Sequence, residues 1–145
     1  MLKLMKQNSE SELPPLFEES VAAGFPSPVH GRIATQLDIH ERLVPHPNST
    51  FFVRTSGDSM SGIGILPGDI LVVDRSITPK HQDIVIAQYQ GEFTVKKLII
   101  TPTGYELHPE NPRYPILHLQ QSQLNQIFGV VTSSFREYTN NNKEN

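Results

Sequence analysis

The pattern of hydrophobic and polar positions divides the chain into a polar N-terminal segment and a longer part patterned for β-strands. Up to Ala23 the sequence is polar, acidic and interrupted by Pro14 and Pro15, with no sustained helical or strand period. The following residues, 24–28, contain a glycine and two prolines, which cannot continue a helix and favour extended backbone. We therefore predict a flexible N-terminal arm over residues 1–23.

From about Ile33 onward, short apolar and β-branched runs alternate with turn residues, a pattern typical of β-strands. Gln90-Gly91 separates two such runs and predicts a hairpin, because glycine accepts a positive φ. A brief helix is expected from Asp38, its N-cap, to Leu43. The predicted strands are Phe51–Thr55, Asp69–Asp74, Asp83–Tyr89, Glu92–Ile100, Tyr105–His108, Ile116–Leu119 and Ile127–Thr132. The sequence thus predicts a mainly β domain over residues 24–134 and a polar tail over residues 135–145.

Composition excludes several classes of function. A net charge of -3 argues against broad attraction to nucleic acid or to an anionic membrane surface. The absence of cysteine excludes disulfides, thiolate metal sites and a cysteine nucleophile. No apolar segment follows Met1 as in a secretory signal, and no run is long enough to cross a bilayer. We expect a cytoplasmic protein without a membrane anchor.

Ser59 is the first candidate for chemistry. It lies in Gly57-Asp58-Ser59-Met60, where a predicted strand gives way to a glycine-containing turn. Small neighbours allow a substrate backbone to approach the hydroxyl, and amides at such a turn can face an oxyanion. The same composition also occurs in ordinary turns, so the motif alone does not establish a nucleophile.

A serine nucleophile needs a base, and lysine is a better candidate here than histidine. The six histidines are scattered, none has metal-ligand spacing on a recognisable helix, and we assign none a role. Lys96 and Lys97 lie within an apolar strand, and adjacent strand residues point to opposite faces. One lysine is therefore expected to be partly buried, with a pKa lowered by desolvation. The alternative is an edge strand whose lysines extend into solvent, and alternation alone does not decide which lysine would face a site.

Three segments in this order resemble the self-cleaving peptidases that include LexA-type repressors and the UmuD proteins of bacterial translesion synthesis. They are Val21-Ala22-Ala23-Gly24, Gly57-Asp58-Ser59-Met60 and Phe93-Thr94-Val95-Lys96-Lys97-Leu98. Residues 67–74, 81–87 and 128–131 strengthen the resemblance, which covers about Ala22 to Thr132 and is closest to the UmuD branch.

The resemblance implies that Ser59 is the nucleophile, that Lys96 is the general base, and that the bond cut is Ala23-Gly24 in the protein's own arm. The backbone amide of Ser59 would stabilise the oxyanion. The resemblance further implies a small, strongly bent β-fold, a homodimer, stimulation by a RecA filament on single-stranded DNA, and assembly of the shortened product with a UmuC-type Y-family polymerase in error-prone synthesis. Chemistry by serine and lysine needs no cofactor, and we expect no metal site.

The same residues are compatible with three other classes of protein. A LexA-type repressor would need a helix-turn-helix before the cleavage site, and residues 1–23 are too short and proline-broken for it, so we expect no sequence-specific DNA binding. A signal peptidase would need a membrane anchor. The main alternative is a non-catalytic dimeric adaptor that regulates a DNA polymerase.

Overall fold

The computed structural model describes residues 13–17 and 33–139, with side chains in the second range from Gln36 onward. The chain forms two compact units, and it passes from the first to the second between Pro45 and His46. Most of the predicted arm, the predicted bond Ala23-Gly24 and the end of the predicted tail, residues 140–145, lie outside the described residues.

The first unit contains a short antiparallel strand pair and one helix. Strand β1, Pro15–Phe17, pairs with β2, Ile33–Gln36. Helix α1 spans Ile39–Leu43, and the Asp38 carboxylate accepts a hydrogen bond from the Glu41 amide at 3.1 Å, which confirms the predicted helix and its N-cap. Strand β1 was not predicted, because three residues are too few to show a period.

The second unit is a seven-stranded antiparallel sheet in the order β3-β4-β9-β5-β6-β7-β8. Its strands are β3 Thr50–Arg54, β4 Ile70–Asp74, β5 Ile84–Tyr89, β6 Glu92–Thr101, β7 Gly104–His108, β8 Leu117–Gln120 and β9 Ile127–Phe135. Short 3-10 helices cover Pro47–Ser49, Ser61–Ile63 and Gln121–Gln126. The mainly β prediction is confirmed, although β9 continues beyond its predicted end at Thr132.

Local backbone features set the registers of this sheet. Tyr89 pairs with Glu92, and the two residues between them, Gln90 and Gly91, have φ of 52° and 83°. This is the predicted hairpin turn, with both central residues in the left-handed region. The pairing of β9 is also irregular at two points. Its register with β4 shifts between Val72 and Val73, and its register with β5 shifts between Ile86 and Ala87. Such bulges bend a strand, which accounts for the predicted bend of the sheet.

Strand β5 contributes to two hydrophobic clusters, one on each face of the sheet. Val85 and Ala87 belong to the first cluster, and Ile86, whose side chain points the opposite way, belongs to the second. The rest of the first cluster is Leu98, Leu107, Leu119 and Val130, and the rest of the second is Met60, Ile65, Leu71 and Val73. Burial on both faces explains why β4 and β5 read as continuous apolar runs instead of alternating ones.

Met60 is the residue that connects the second cluster to the turn after β3. It is 1% exposed. We expect Met60→Ala to lower the free energy of unfolding by about 2–4 kcal/mol, because the substitution leaves a cavity among Leu71, Val73 and Ile86. Urea denaturation measures the change. Ile63→Ala is the matched control, since Ile63 lies in the same loop with 42% exposure and should cost about 1 kcal/mol or less. Equal losses in the two variants would contradict the anchoring role of Met60.

Candidate active site

Ser59 lies in a turn that leaves strand β3 and enters the 3-10 helix Ser61–Ile63. The Ser61 amide donates a hydrogen bond to the Asp58 carbonyl at 3.1 Å, which closes the turn around Ser59. The next side chain, Met60, is buried in the second cluster, whereas Ser59 itself is only partly buried. The turn is thus fixed from the core side, and its serine hydroxyl stays accessible.

The loop between this turn and β4 is closed by a buried carboxylate. Asp69, which is 2% exposed, accepts hydrogen bonds from Arg136 at 2.6 and 2.7 Å and from the Leu66 amide at 2.9 Å. The Arg136 hydrogen bonds are the main reason that the pKa of Asp69 is lowered to about 2. Arg136 also donates to the Gly64 carbonyl at 2.8 Å, so one guanidinium, on the residue directly after β9, is hydrogen-bonded to both ends of the loop.

The structure distinguishes the two adjacent lysines of β6. Lys96 shares a face with Thr94 and Leu98 and is 6% exposed. The Lys97 side chain lies on the opposite face and forms an ion pair with Glu110 at 2.6 Å. The edge-strand alternative does not apply, since β6 is paired with β5 and β7.

The buried ammonium of Lys96 meets the hydroxyl of Ser59. Lys96 Nζ lies 3.0 Å from Ser59 Oγ, 2.7 Å from Thr94 Oγ1 and 3.1 Å from the Val95 carbonyl oxygen. The three donors of an ammonium are therefore matched to three oxygens. Thr94 was not assigned a role from sequence, although its position two residues before Lys96 on the strand places it on the same face.

Burial lowers the pKa of Lys96 from its ordinary value of 10.5. Desolvation disfavours the charged form, and the three oxygens around Nζ are neutral, so no carboxylate among these contacts opposes the effect. A lysine with a lowered pKa has a larger neutral fraction at a given pH, and only the neutral amine can accept a proton from serine.

Ser59 stands where two surface cavities meet. The larger, of about 290 Å³, includes Lys96 in its lining, and the smaller, of about 140 Å³, has a lining of mixed polar and apolar residues. Three residues line both: Ser56, Ser59 and Thr94. Another cavity of about 330 Å³ lies beside Arg54 and Arg136, but its lining contains no hydroxyl group. An extended peptide could therefore lie across the Ser59 hydroxyl with side chains on either side of it.

Asp58, the residue before Ser59, forms two polar contacts that the sequence did not indicate. Its carboxylate accepts hydrogen bonds from the Tyr114 hydroxyl at 2.5 Å and from Arg113 at 3.1 Å. The Tyr114 hydrogen bond is the main cause of the lowered pKa of Asp58, and it also raises the pKa of Tyr114. More than 50 residues separate these partners, so no local pattern could have indicated the contact.

His46, Asp74 and Ser76 include the residue types of a catalytic triad but not its geometry. His46 Nδ1 lies 2.7 Å from the Asp74 carboxylate and 3.4 Å from Ser76 Oγ, so the same ring nitrogen faces both groups. Ser76 donates to Asp74 at 2.6 Å. A triad histidine uses opposite ring nitrogens for its acid and its serine, so this cluster is a hydrogen-bonded carboxylate.

Within the part of the chain that the structure describes, no three or more His, Asp and Glu side chains are grouped as metal ligands. No helix in residues 13–17 and 33–139 has the length and hydropathy needed to span a bilayer.

Comparisons with known proteins give the following matches. The model of the Peptidase S24-like family matches residues 15–132. Protein SamA of Salmonella typhimurium is 44% identical over 133 residues, which is 92% of each chain. Protein MucA of Escherichia coli is 42% identical over 125 residues, 86% of this chain and 85% of that protein. Protein ImpA of Shigella flexneri is 43% identical over 124 residues, 85% of this chain and 83% of that protein.

The environment of Lys96 predicts a measurable titration. We expect the Lys96 side chain to lose its proton at a lower pH than 10.5, because burial penalises the ammonium. Carbon-13 NMR of the lysine Cε groups as a function of pH measures the midpoint, and the spectrum of Lys96→Arg assigns the signal. A Lys96 midpoint at or above 10.5 would contradict the desolvated site.

Proposed function

Since the chain belongs to the Peptidase S24-like family, which its motifs had indicated, we propose that it is a self-cleaving serine peptidase of the SOS response. In this proposal Ser59 attacks the carbonyl carbon of Ala23, and Lys96 is the general base. The observation that carries it is the 3.0 Å contact between Lys96 Nζ and Ser59 Oγ at an accessible cleft. Family membership supports a serine-peptidase type of activity; the dyad and the Ala23-Gly24 bond are the proposed details.

The proton transfers follow from the oxygens around Lys96. After Lys96 loses a proton, two N–H groups remain for Thr94 Oγ1 and the Val95 carbonyl, and the lone pair can face Ser59 Oγ. The amine then accepts the Ser59 proton as Oγ bonds to the Ala23 carbonyl carbon. The resulting ammonium returns that proton to the amine of Gly24 as the peptide bond breaks. Lys96, neutral again, then accepts a proton from water as the water oxygen bonds to the Ala23 carbonyl carbon. It returns this proton to Ser59 Oγ as the ester bond breaks, which frees the enzyme.

The negative charge on the Ala23 carbonyl oxygen needs hydrogen-bond donors during this reaction. We propose the backbone amide of Ser59 as one donor. Within residues 13–17 and 33–139, this amide donates to no backbone carbonyl of the surrounding turns and loops. Removing a single donor from an oxyanion hole typically slows catalysis by about 10²–10³-fold.

Cleavage in this proposal depends on docking of the arm. When residues around Ala23-Gly24 cover the cleft, they displace water from Lys96 and favour its neutral form. Any partner that stabilises the docked state accelerates cleavage, because it increases the population that can react. We propose a RecA filament on single-stranded DNA as that partner. The shortened homodimer then joins a UmuC-type Y-family polymerase for error-prone translesion synthesis.

The dyad is tested by incubating the purified protein with RecA, an ATP analogue and single-stranded DNA. We expect a product that starts at Gly24, identified by mass spectrometry. Ser59→Ala and Lys96→Ala should each lower the rate by at least about 10³-fold, because neither residue acts without the other. Ser122→Ala and Lys80→Ala are matched controls on the exposed surface and should cleave normally. Cleavage that persists in Ser59→Ala would contradict the proposed nucleophile.

The same experiment separates the peptidase from its main alternative, a dimeric adaptor without catalysis. An adaptor would remain uncut with RecA and DNA and would still bind a Y-family polymerase. A wild-type chain with both of these properties would contradict the proposed peptidase.

The proposal also predicts a pH dependence without any partner. The neutral fraction of Lys96 rises with pH through its lowered pKa, so spontaneous cleavage should accelerate from neutral to mildly alkaline pH and level off below 10.5. First-order rates from gel densitometry at 25 °C, at pH values where circular dichroism is unchanged, give the profile. A flat rate over this range would contradict a titrating lysine.

A further inference from the structure

The loop of residues 110–114, here called the clamp loop, is hydrogen-bonded along the turn that carries Ser59. The Glu110 amide donates to the Ser59 carbonyl at 2.8 Å, and the Gly62 amide donates to the Glu110 carbonyl at 2.7 Å. A Cβ on residue 62 would collide with that carbonyl, so glycine is required for the close approach. The backbone of Ser59 is therefore attached directly to the clamp loop.

The side chain of Asn111 contacts the same turn at Asp58 and at Ser61. Its Nδ2 donates to the Asp58 carbonyl at 3.0 Å and lies 3.5 Å from Ser61 Oγ. Its Oδ1 accepts a hydrogen bond from the Arg113 amide at 3.0 Å, which fixes the amide orientation. One side chain thus contacts the residues on both sides of the Ser59–Met60 pair while its own rotamer is held by the loop.

Two further links connect the clamp loop to the site. The Tyr114 hydroxyl and the Arg113 guanidinium both hold the Asp58 carboxylate. At the other end, Glu110 pairs with Lys97, the neighbour of Lys96 on β6. The clamp loop therefore joins the turn that bears the nucleophile to the strand that bears the base, and Tyr114 also lines the cleft beside Ser59.

We propose that the clamp loop positions Ser59 Oγ against Lys96 Nζ, and that Asn111 is its main positioning residue. This inference rests on the proposed function, because positioning matters only if Ser59 reacts. Asn111 forms no hydrogen bond with Lys96, so its removal should leave the pKa of the base unchanged and lower the reactivity of the nucleophile. A displacement of about 1 Å between reacting groups can cost about 100-fold in rate.

The test measures Ser59 reactivity without the arm's own cleavage step. A fluorophosphonate phosphonylates a nucleophilic serine with loss of fluoride. Mass spectrometry of the full chain gives the labelling rate from pH 7 to 10, at a temperature well below that of thermal unfolding. For Asn111→Ala we expect a rate about 10–100-fold below wild type at every pH. The pH at which the labelling rate is half of its maximum should be unchanged. Asn125→Ala, the same change at an exposed asparagine outside the site, should label like wild type.

A second variant keeps the inference testable if Asn111→Ala does not fold. Tyr114→Phe retains the ring and removes its hydrogen bond to Asp58, and we expect about 3–10-fold slower labelling. Slower labelling of a folded variant at an unchanged midpoint supports positioning. A shifted pH midpoint of the labelling rate in Asn111→Ala, or wild-type labelling rates in the folded variants, would overturn the inference while the proposed function stands. A wild-type protein that is not labelled at Ser59 would overturn both.

Discussion

The burial of the Lys96 side chain beside Ser59 is the constraint on which the rest of the site depends. A cationic amine loses hydration when it is buried, and the loss is tolerated only where oxygens replace water. Thr94, Val95 and Ser59 provide those oxygens, and all three are neutral. A carboxylate in their place would have stabilised the ammonium and raised the pKa of the lysine. The fold therefore keeps Lys96 hydrogen-bonded without favouring its charged form.

This arrangement requires a turn and a strand that are distant in sequence to be held together. Met60 attaches the turn to the hydrophobic cluster of Leu71, Val73 and Ile86. The cluster on the other face of β5 includes Leu98, on the same strand and face as Lys96. Both clusters are thus built on one continuous sheet, so packing on each of its faces contributes to the distance between Ser59 Oγ and Lys96 Nζ. Neither cluster alone determines the site.

Much of the fold could be predicted from sequence because its strands carry strong local signals. β-Branched runs bounded by turn residues indicated β3 to β9, and Gln90-Gly91 indicated the hairpin. Strand alternation showed that Lys96 and Lys97 face opposite ways, but which of them is buried depends on long-range packing. The same limit applies to Asn111 and Tyr114, whose contacts with Asp58 span more than 50 residues.

The two-residue hairpin between β5 and β6 has a consequence for which lysine occupies the cleft. Because strand side chains alternate with a period of two, sliding β6 by one residue would exchange the faces of Lys96 and Lys97. Lys97 would then enter the cleft, and Lys96 would take its place on the side of Glu110. The turn of Gln90 and Gly91 sets the pairing of Tyr89 with Glu92, and hence of Val85 with Lys96. The length of a distant surface turn thus selects between two chemically identical side chains.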